Sequence, residues 1–419
     1  MFTRKLEPII ADLLDEFRIV YLTGPRQAGK TTLVRDIAKK RGLTYISFDD
    51  ATVMASAKSD PVGFIEMLGN KRVVLDEFQY IPELIFAIKQ TSDNLSPTEK
   101  GKFLLTGSAD IFRSAKTQES LPGHMARLEL YPLSLSEKFY GERNIIDTLC
   151  DDNLTISSFS SIAREELASL IIQGGYPEIQ EKSFRTRRFW YESYVQGRLL
   201  KDFETLYSAR GDYHSKLTAL ISYLAGLSGN LIKYANVAND LGQEDKVVKT
   251  YIEILELMFF VKRVPGYLKN KSKRKAITMP KLQLIDTGLA CSILGIRTES
   301  QLIKSNYFGG LLENLIYMEL EKQNGWSREH VGLLHFRDHR KNEVDIVIER
   351  DNNKIIGIEV KATATLNQHD FNGLVKLAEF NPTQFQRGIV FYSGKDFLSF
   401  SKNGLQLFAV PIRVFLSKK

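Results

Sequence analysis

The chain has 419 residues, too many for one ordinary domain and suited to roughly two to four. Its 43% hydrophobic and 26% charged residues are the balance of a soluble globular protein, and no apolar run approaches the roughly 18 residues of a membrane span. The formal net charge of +7 fits a nucleic-acid partner or an anionic surface, although at this length the charge alone decides nothing.

The start, "MFTRKLEPIIADLLDEF", lacks a signal-peptide core and reads as an amphipathic helix with Leu6, Ile9, Ile10, Leu13 and Leu14 on one face. Next, "IVYL" predicts a short buried strand, "GPRQAGKT" (Gly24, Pro25, Arg26, Gln27, Ala28, Gly29, Lys30, Thr31) fits G-x-x-x-x-G-K-[ST], and Thr32 opens a continuing helix. In this strand–loop–helix context the glycines let backbone N–H groups turn toward phosphate oxygens. Lys30 is expected at the β- and γ-phosphates of ATP and Thr31 on Mg²⁺.

In "KRVVLDEFQY" a second buried strand ends in Asp76-Glu77. Asp76 is expected to hold the metal and Glu77 to activate the attacking water. A third strand, "KFLLTGSAD", ends in Thr106-Gly107-Ser108. A polar residue at such a tip senses the γ-phosphate in P-loop ATPases. Ser108 is the first choice and Thr106 the alternative, with helix capping a competing role for both. The two cysteines, Cys150 and Cys291, are far apart without CxxC spacing, which predicts reduced thiols and a cytoplasmic setting.

The stretches "GPRQAGKTTL", "VVLDEFQY", "LLTGSAD", "ARLELYPLSLSE" and "GGYP" resemble the AAA+ ATPases of bacteria and archaea that carry a C-terminal domain of unknown function. The resemblance covers nearly the whole chain. It implies a P-loop core, a long helix (here "RFWYESYVQGRLLKDFETL"), a winged helix and a nuclease-like fold. It also implies an arginine finger reaching a neighbouring subunit's ATP, with Arg127 the choice and Arg113 the competitor. Lys201 stands where an arginine usually precedes the aspartate of the long helix, here Asp202, and no role is assigned there.

Residues 213 to 264 read as three helices and the start of a wing. The third carries Val248, Tyr251, Ile252, Leu255, Met258 and Phe259 at helical spacing, with Lys246 and Lys249 near its start and off that stripe. Those lysines are candidates for a DNA groove; a purely helical packing module is the alternative. Residues 262 to 281 hold eight Lys or Arg and no acid. Lys269, Lys271, Lys273, Arg274 and Lys275 are expected to meet phosphates and Tyr267 to offer a stacking face, against the alternative of a solvated wing hairpin.

Finally, "EVDIVIERDNNKIIGIEVKAT" predicts a hairpin. Alternation puts Val344, Ile346 and Ile348 on one face with Asp345 and Val347 opposite, and it puts Glu359 and Lys361 together. Asp345, Glu359 and Lys361 form the pattern of PD-(D/E)XK nucleases, and Glu313 resembles that fold's acidic helix residue. In such a site two acids bind Mg²⁺ and the lysine stabilises developing charge. Val344 stands where proline would, and the alternatives are a nuclease-like fold with no cleavage or a plain strand pair with a salt bridge.

The expected fold class is α/β: an AAA+ core over residues 1–140, a helical lid or linker over 141–212, a winged helix-turn-helix over 213–285 and a restriction-endonuclease-like domain over 286–419. The expected protein is an ATPase acting on DNA, using ATP and Mg²⁺, as a homo-oligomer such as a hexameric ring, with no membrane partner. A nucleotide-dependent switch binding a protein partner, or a nuclease regulated by ATP, are the rivals.

Overall fold

The computed structural model describes residues 2–109, 125–207, 213–274, 279–402 and 404–417. Arg113 and Lys275, named above, lie outside the described residues. The chain falls into two compact units, Met1–Leu133 with Leu257–Phe259, and Ser134–Glu256 with Phe260–Lys419.

In the first unit, strands β1 (Ile19–Thr23), β2 (Thr44–Ser47), β3 (Val73–Asp76), β4 (Phe103–Gly107) and β5 (Met125–Glu129) form one sheet in the order β2-β3-β4-β1-β5. Every neighbouring pair is parallel. The inner strands are buried at every position, as parallel strands covered on both faces must be. Ile19, Tyr21, Val73, Leu75, Phe103 and Leu105 share a core with Phe64 and Ile65 of the helix Pro61–Met67 and with Leu84 and Ile88 of the helix Leu84–Asn94. Asp60 starts the former of these helices by accepting the Gly63 N–H at 2.9 Å, with Pro61 at its first position. Because β4 lies between β3 and β1, the ends of these three strands are adjacent and define a crevice at their C-terminal edge.

The second unit takes in the expected linker, helix-turn-helix and C-terminal segments. Residues 134–140 belong to it, tied in by the Leu135 N–H, which donates to Glu319 Oε2 at 2.7 Å. The long helix is interrupted: Phe184–Tyr194 passes through a π-helical turn at Val195–Leu199, which contains Gly197, into Leu200–Leu206. Helices Tyr213–Gly226, Tyr234–Leu241 and Asp245–Leu257 follow. Gly242, at φ +60°, stops the second of them with its N–H on Ala238 O. The strands β6 (Asn230–Leu231), β7 (Val261–Val264) and β8 (Lys281–Leu284) form an antiparallel sheet in the order β6-β8-β7.

The last sheet runs β13-β14-β12-β11-β10-β9, with β9 Val331–Arg337, β10 Glu343–Arg350, β11 Ile355–Lys361, β12 Phe385–Tyr392, β13 Leu398–Lys402 and β14 Leu405–Pro411. β10 and β11 are the expected hairpin, paired Ile346 to Ile358, and Asn353 takes φ +63° in the turn. The helix Asn372–Phe380 crosses between the parallel strands β11 and β12. One expectation needs correction. The register against β9 shifts between Val344 and Val347, so both valines enter the same core with Leu374, where strict alternation would have separated them.

Candidate functional site

The loop after β1 turns on three residues of positive φ: Gly24 at +146°, Gln27 at +59° and Gly29 at +98°. At Gly24 a Cβ would lie 2.1 Å from the Leu130 carbonyl oxygen, so no other residue fits. The loop closes on its own lysine: Lys30 Nζ donates to Gly24 O and Pro25 O, each at 2.8 Å, and Lys30 is 4% exposed. Arg4, which sequence reasoning missed, pins the loop from behind by donating to Ala28 O at 2.6 Å and Tyr131 O at 2.7 Å. Arg26 donates to the Tyr80 hydroxyl at 2.7 Å. Thr31 and Thr32 stand in the first turn of the helix Lys30–Arg41, whose N-terminus carries partial positive charge toward the loop. A curled glycine loop, a buried ammonium and a helix start fit a triphosphate.

The strand ends beside the loop are tied together. Asp76, 1% exposed, accepts the Thr106 hydroxyl on Oδ1 and the Tyr45 hydroxyl on Oδ2. Burial and the Asp76 charge push the Tyr45 hydroxyl above its ordinary pKa, which keeps it a donor. Thr106 Oγ1 also accepts the Glu77 N–H at 3.1 Å. Glu77 adopts φ +58°, a conformation that a glutamate holds only when its surroundings impose it. Its Oε2 accepts the Ser108 hydroxyl at 3.1 Å and the Gln79 amide. Gln79 in turn donates to Ser108 Oγ at 2.9 Å and accepts the Ser108 N–H at 3.2 Å. Thr106 therefore serves Asp76, while Ser108 serves Glu77. Tyr45 and Gln79 were not foreseen; Gln79 carried the one available signal, lying two residues beyond Glu77 in "DEFQY". The oxygen donors of Thr31 and Asp76 match what Mg²⁺ prefers. Arg127 lies on edge strand β5 and donates to Glu129 Oε1 at 2.5 Å.

In the second unit Asp345, Glu359, Lys361 and Glu313 do converge, around a cavity of about 410 Å³ that Glu343 also lines. Lys361 Nζ donates to Glu359 Oε2 at 3.0 Å, and the Val360 N–H donates to Asp345 Oδ2 at 2.9 Å. At the centre of the acids is a residue the sequence did not flag. Lys281 Nζ lies 2.8 Å from Glu313 Oε1, 3.1 Å from Glu343 Oε1 and 3.6 Å from Asp345 Oδ1. Burial favours its neutral form, but Glu313, Asp345 and Glu343 outweigh burial and hold it charged. Burial, then Asp345, pushes the carboxyls of both Glu313 and Glu359 upward.

Part of the basic stretch is consumed within the unit. Arg274 is corrected from a DNA contact to a buried anchor: it is 7% exposed and holds Glu349 through two bonds of 2.6 and 2.8 Å. Tyr267, 2% exposed, cannot stack on a base; Arg274 covers its ring and its hydroxyl donates to Gln384 Oε1 at 3.0 Å. Lys271 reaches Glu349 at 3.5 Å, and Lys269 stands 5.2 Å from the Phe380 ring centroid. Lys246, Lys249, Lys269, Lys271 and Lys273 are exposed.

The first unit is thus an AAA-type P-loop ATPase domain: residues 16–139 match the family model described as an AAA domain. Residues 164–300 and 308–415 match two models described as domains of unknown function, DUF8612 and DUF4143. The uncharacterized proteins Mb2031c of Mycobacterium bovis and Rv2008c of Mycobacterium tuberculosis are each 28% identical over 349 residues, covering 83% of this chain and 71% of their own. Among solved structures, the Walker-type ATPase paby2304 of Pyrococcus abyssi is 15% identical, covers 70% of this chain and 96% of its own, and has a TM-score of 0.42. AMPPCP-bound DnaA from Aquifex aeolicus is 18% identical, covers 60% of this chain and 85% of its own, and has a TM-score of 0.25. Among the described residues no helix is long and apolar enough to cross a membrane.

Proposed function

We propose that this protein hydrolyses ATP in its first unit and acts on DNA through its second. The observation that carries the hydrolytic half is the closed network joining Asp76, Thr106, Glu77, Ser108 and Gln79 at the strand ends beside the loop. Bound ATP supplies the phosphoryl group; Thr31 and Asp76 would hold Mg²⁺, which would neutralise charge on the phosphate oxygens. Lys30 neutralises β- and γ-oxygens, Glu77 orients the attacking water, and Ser108 ties Glu77 to the neighbouring strand tip. Arg127 enters as a finger across a homo-oligomer, for which it must first leave Glu129. Lys30→Ala is expected to abolish nucleotide binding. Glu77→Gln keeps binding while turnover falls by about 100-fold or more. Unchanged ATPase rates in both variants would refute the assignment.

The DNA half rests on the order of three helices followed by the sheet β6-β8-β7, which supports a winged helix, and on Lys246 and Lys249 exposed near the start of the third helix. The helix Phe308–Asn324 ahead of β9, and the crossover helix between β11 and β12, support a nuclease-like fold for the C-terminal sheet. Replacing Lys246 and Lys249 with alanine should lower the salt slope of DNA binding by about 2. A second reading, a nucleotide-dependent switch that binds a protein partner, is favoured by the internal pairing of Arg263 with Glu256, Arg274 with Glu349 and Lys262 with Glu321, which removes cations from the basic stretch. No DNA binding at low salt would select it.

A further inference from the structure

Lys281 opens β8 and is 1% exposed, so its charge depends on carboxylates rather than on water. Its partners come from two other elements: Glu313 from the helix Phe308–Asn324, and Glu343 and Asp345 from β10. One further oxygen of Asp345 and one of Glu359 are engaged as well. Asp345 Oδ2 accepts the Val360 N–H, and Glu359 Oε2 accepts the Lys361 ammonium. Mg²⁺ takes its oxygen ligands at about 2.0–2.1 Å in a near-octahedral shell. An ammonium buried outside the cavity lining, 2.8, 3.1 and 3.6 Å from Glu313, Glu343 and Asp345, already neutralises three of the carboxylates a cation would need. Among the described residues no three Asp, Glu, His or Cys side chains are arranged to hold a metal ion. The residues present therefore do not fit a resident divalent cation.

We propose that Lys281, buried behind the carboxylates that line this cavity, is their permanent counter-ion in place of a metal, and that the cluster is a charge lock joining β8 to β10 and the helix Phe308–Asn324 rather than a phosphodiester-cleaving centre. The inference draws only on the positions of these side chains. It stands whether or not the nucleotide and DNA readings hold.

The test is Mn²⁺ binding to the full chain without nucleotide, followed by electron paramagnetic resonance and calorimetry. Wild type and Asp345→Asn should bind the same number of Mn²⁺ ions. Lys281→Met should gain one bound Mn²⁺, which is lost again in the Lys281→Met/Asp345→Asn double variant. Loss of one Mn²⁺ equivalent from Asp345→Asn relative to wild type overturns the proposal, because a metal would then be displacing the lysine. A folded Lys281→Met protein that gains no Mn²⁺ also overturns it. If Lys281→Met does not fold, the comparison of wild type with Asp345→Asn decides alone. Mn²⁺-dependent cleavage of plasmid DNA by wild type that vanishes in Asp345→Asn is the third overturning result.

Discussion

The Thr106 hydroxyl donates to Asp76 Oδ1, and Thr106 Oγ1 itself accepts the N–H of Glu77 at 3.1 Å. One side chain on β4 thus fixes both acids at the end of β3. Thr106→Val keeps the shape and removes both bonds, leaving a buried carboxylate oxygen and a buried N–H short of a partner. ATP turnover should fall by about 10- to 100-fold while nucleotide affinity changes little. Steady-state rates alongside a nucleotide titration measure the two separately; a variant that loses affinity but not rate would contradict this.

Gly24→Ala tests the loop. The new Cβ would meet the Leu130 carbonyl at a backbone φ of +146°, so neither rotation nor a small shift relieves it. Strain of about 1–3 kcal/mol is expected, read as a lower melting temperature, together with loss of nucleotide binding. A variant that melts and binds like wild type would mean that the loop has room to spare.

How much of this was legible in the chain follows from how local each feature is. The glycine loop and the strand end at Asp76-Glu77 are contiguous segments, so their place in the fold could be read directly. Gln79 and Tyr45 reach the same acids from positions that no spacing rule marks. The faces of β10 were misread because alternation assumes an unbroken register, and a bulge breaks it. Arg274 looked like a solvent-facing cation because its partner, Glu349, is 75 residues away. Lys281 was hidden for the same reason, since a lysine at a strand start acquires meaning only from the acids that the fold gathers around it.

The Arg274–Glu349 pair makes a stability prediction. Arg274→Ala leaves a Glu349 carboxylate that is 8% exposed, with Lys271 at 3.5 Å as partial compensation. The loss should be about 3–5 kcal/mol in urea unfolding, and Glu349→Gln added to it should recover part of that. DNA affinity, if present, should stay within about twofold in any variant that folds, because this arginine is buried. Purely additive losses in the double variant would show that the pair is not coupled.

Lys138 gives a pH signature. Its ammonium donates to Gln173 Oε1 at 3.0 Å and Gly174 O at 2.9 Å. Burial, then Lys322, lowers its pKa from 10.5 to about 7, with Glu319 and Asp286 opposing and Arg187 adding to the fall. Between those values the unfolded chain binds the extra proton. Stability should therefore rise with pH from about 7 upward, and the cost of the buried charge is fully present below 7. Lys138→Met should flatten that rise in urea titrations at pH 6 to 10, and an unaltered slope would remove Lys138 as its source.

Arg4 reaches from ahead of the first helix to the carbonyls of Ala28 and Tyr131, gripping the phosphate loop at its far side. Arg4 therefore belongs to the mechanics of the loop although it stands outside every motif. Arg4→Ala removes a staple from the loop and should change ATP affinity even though every motif residue remains in place.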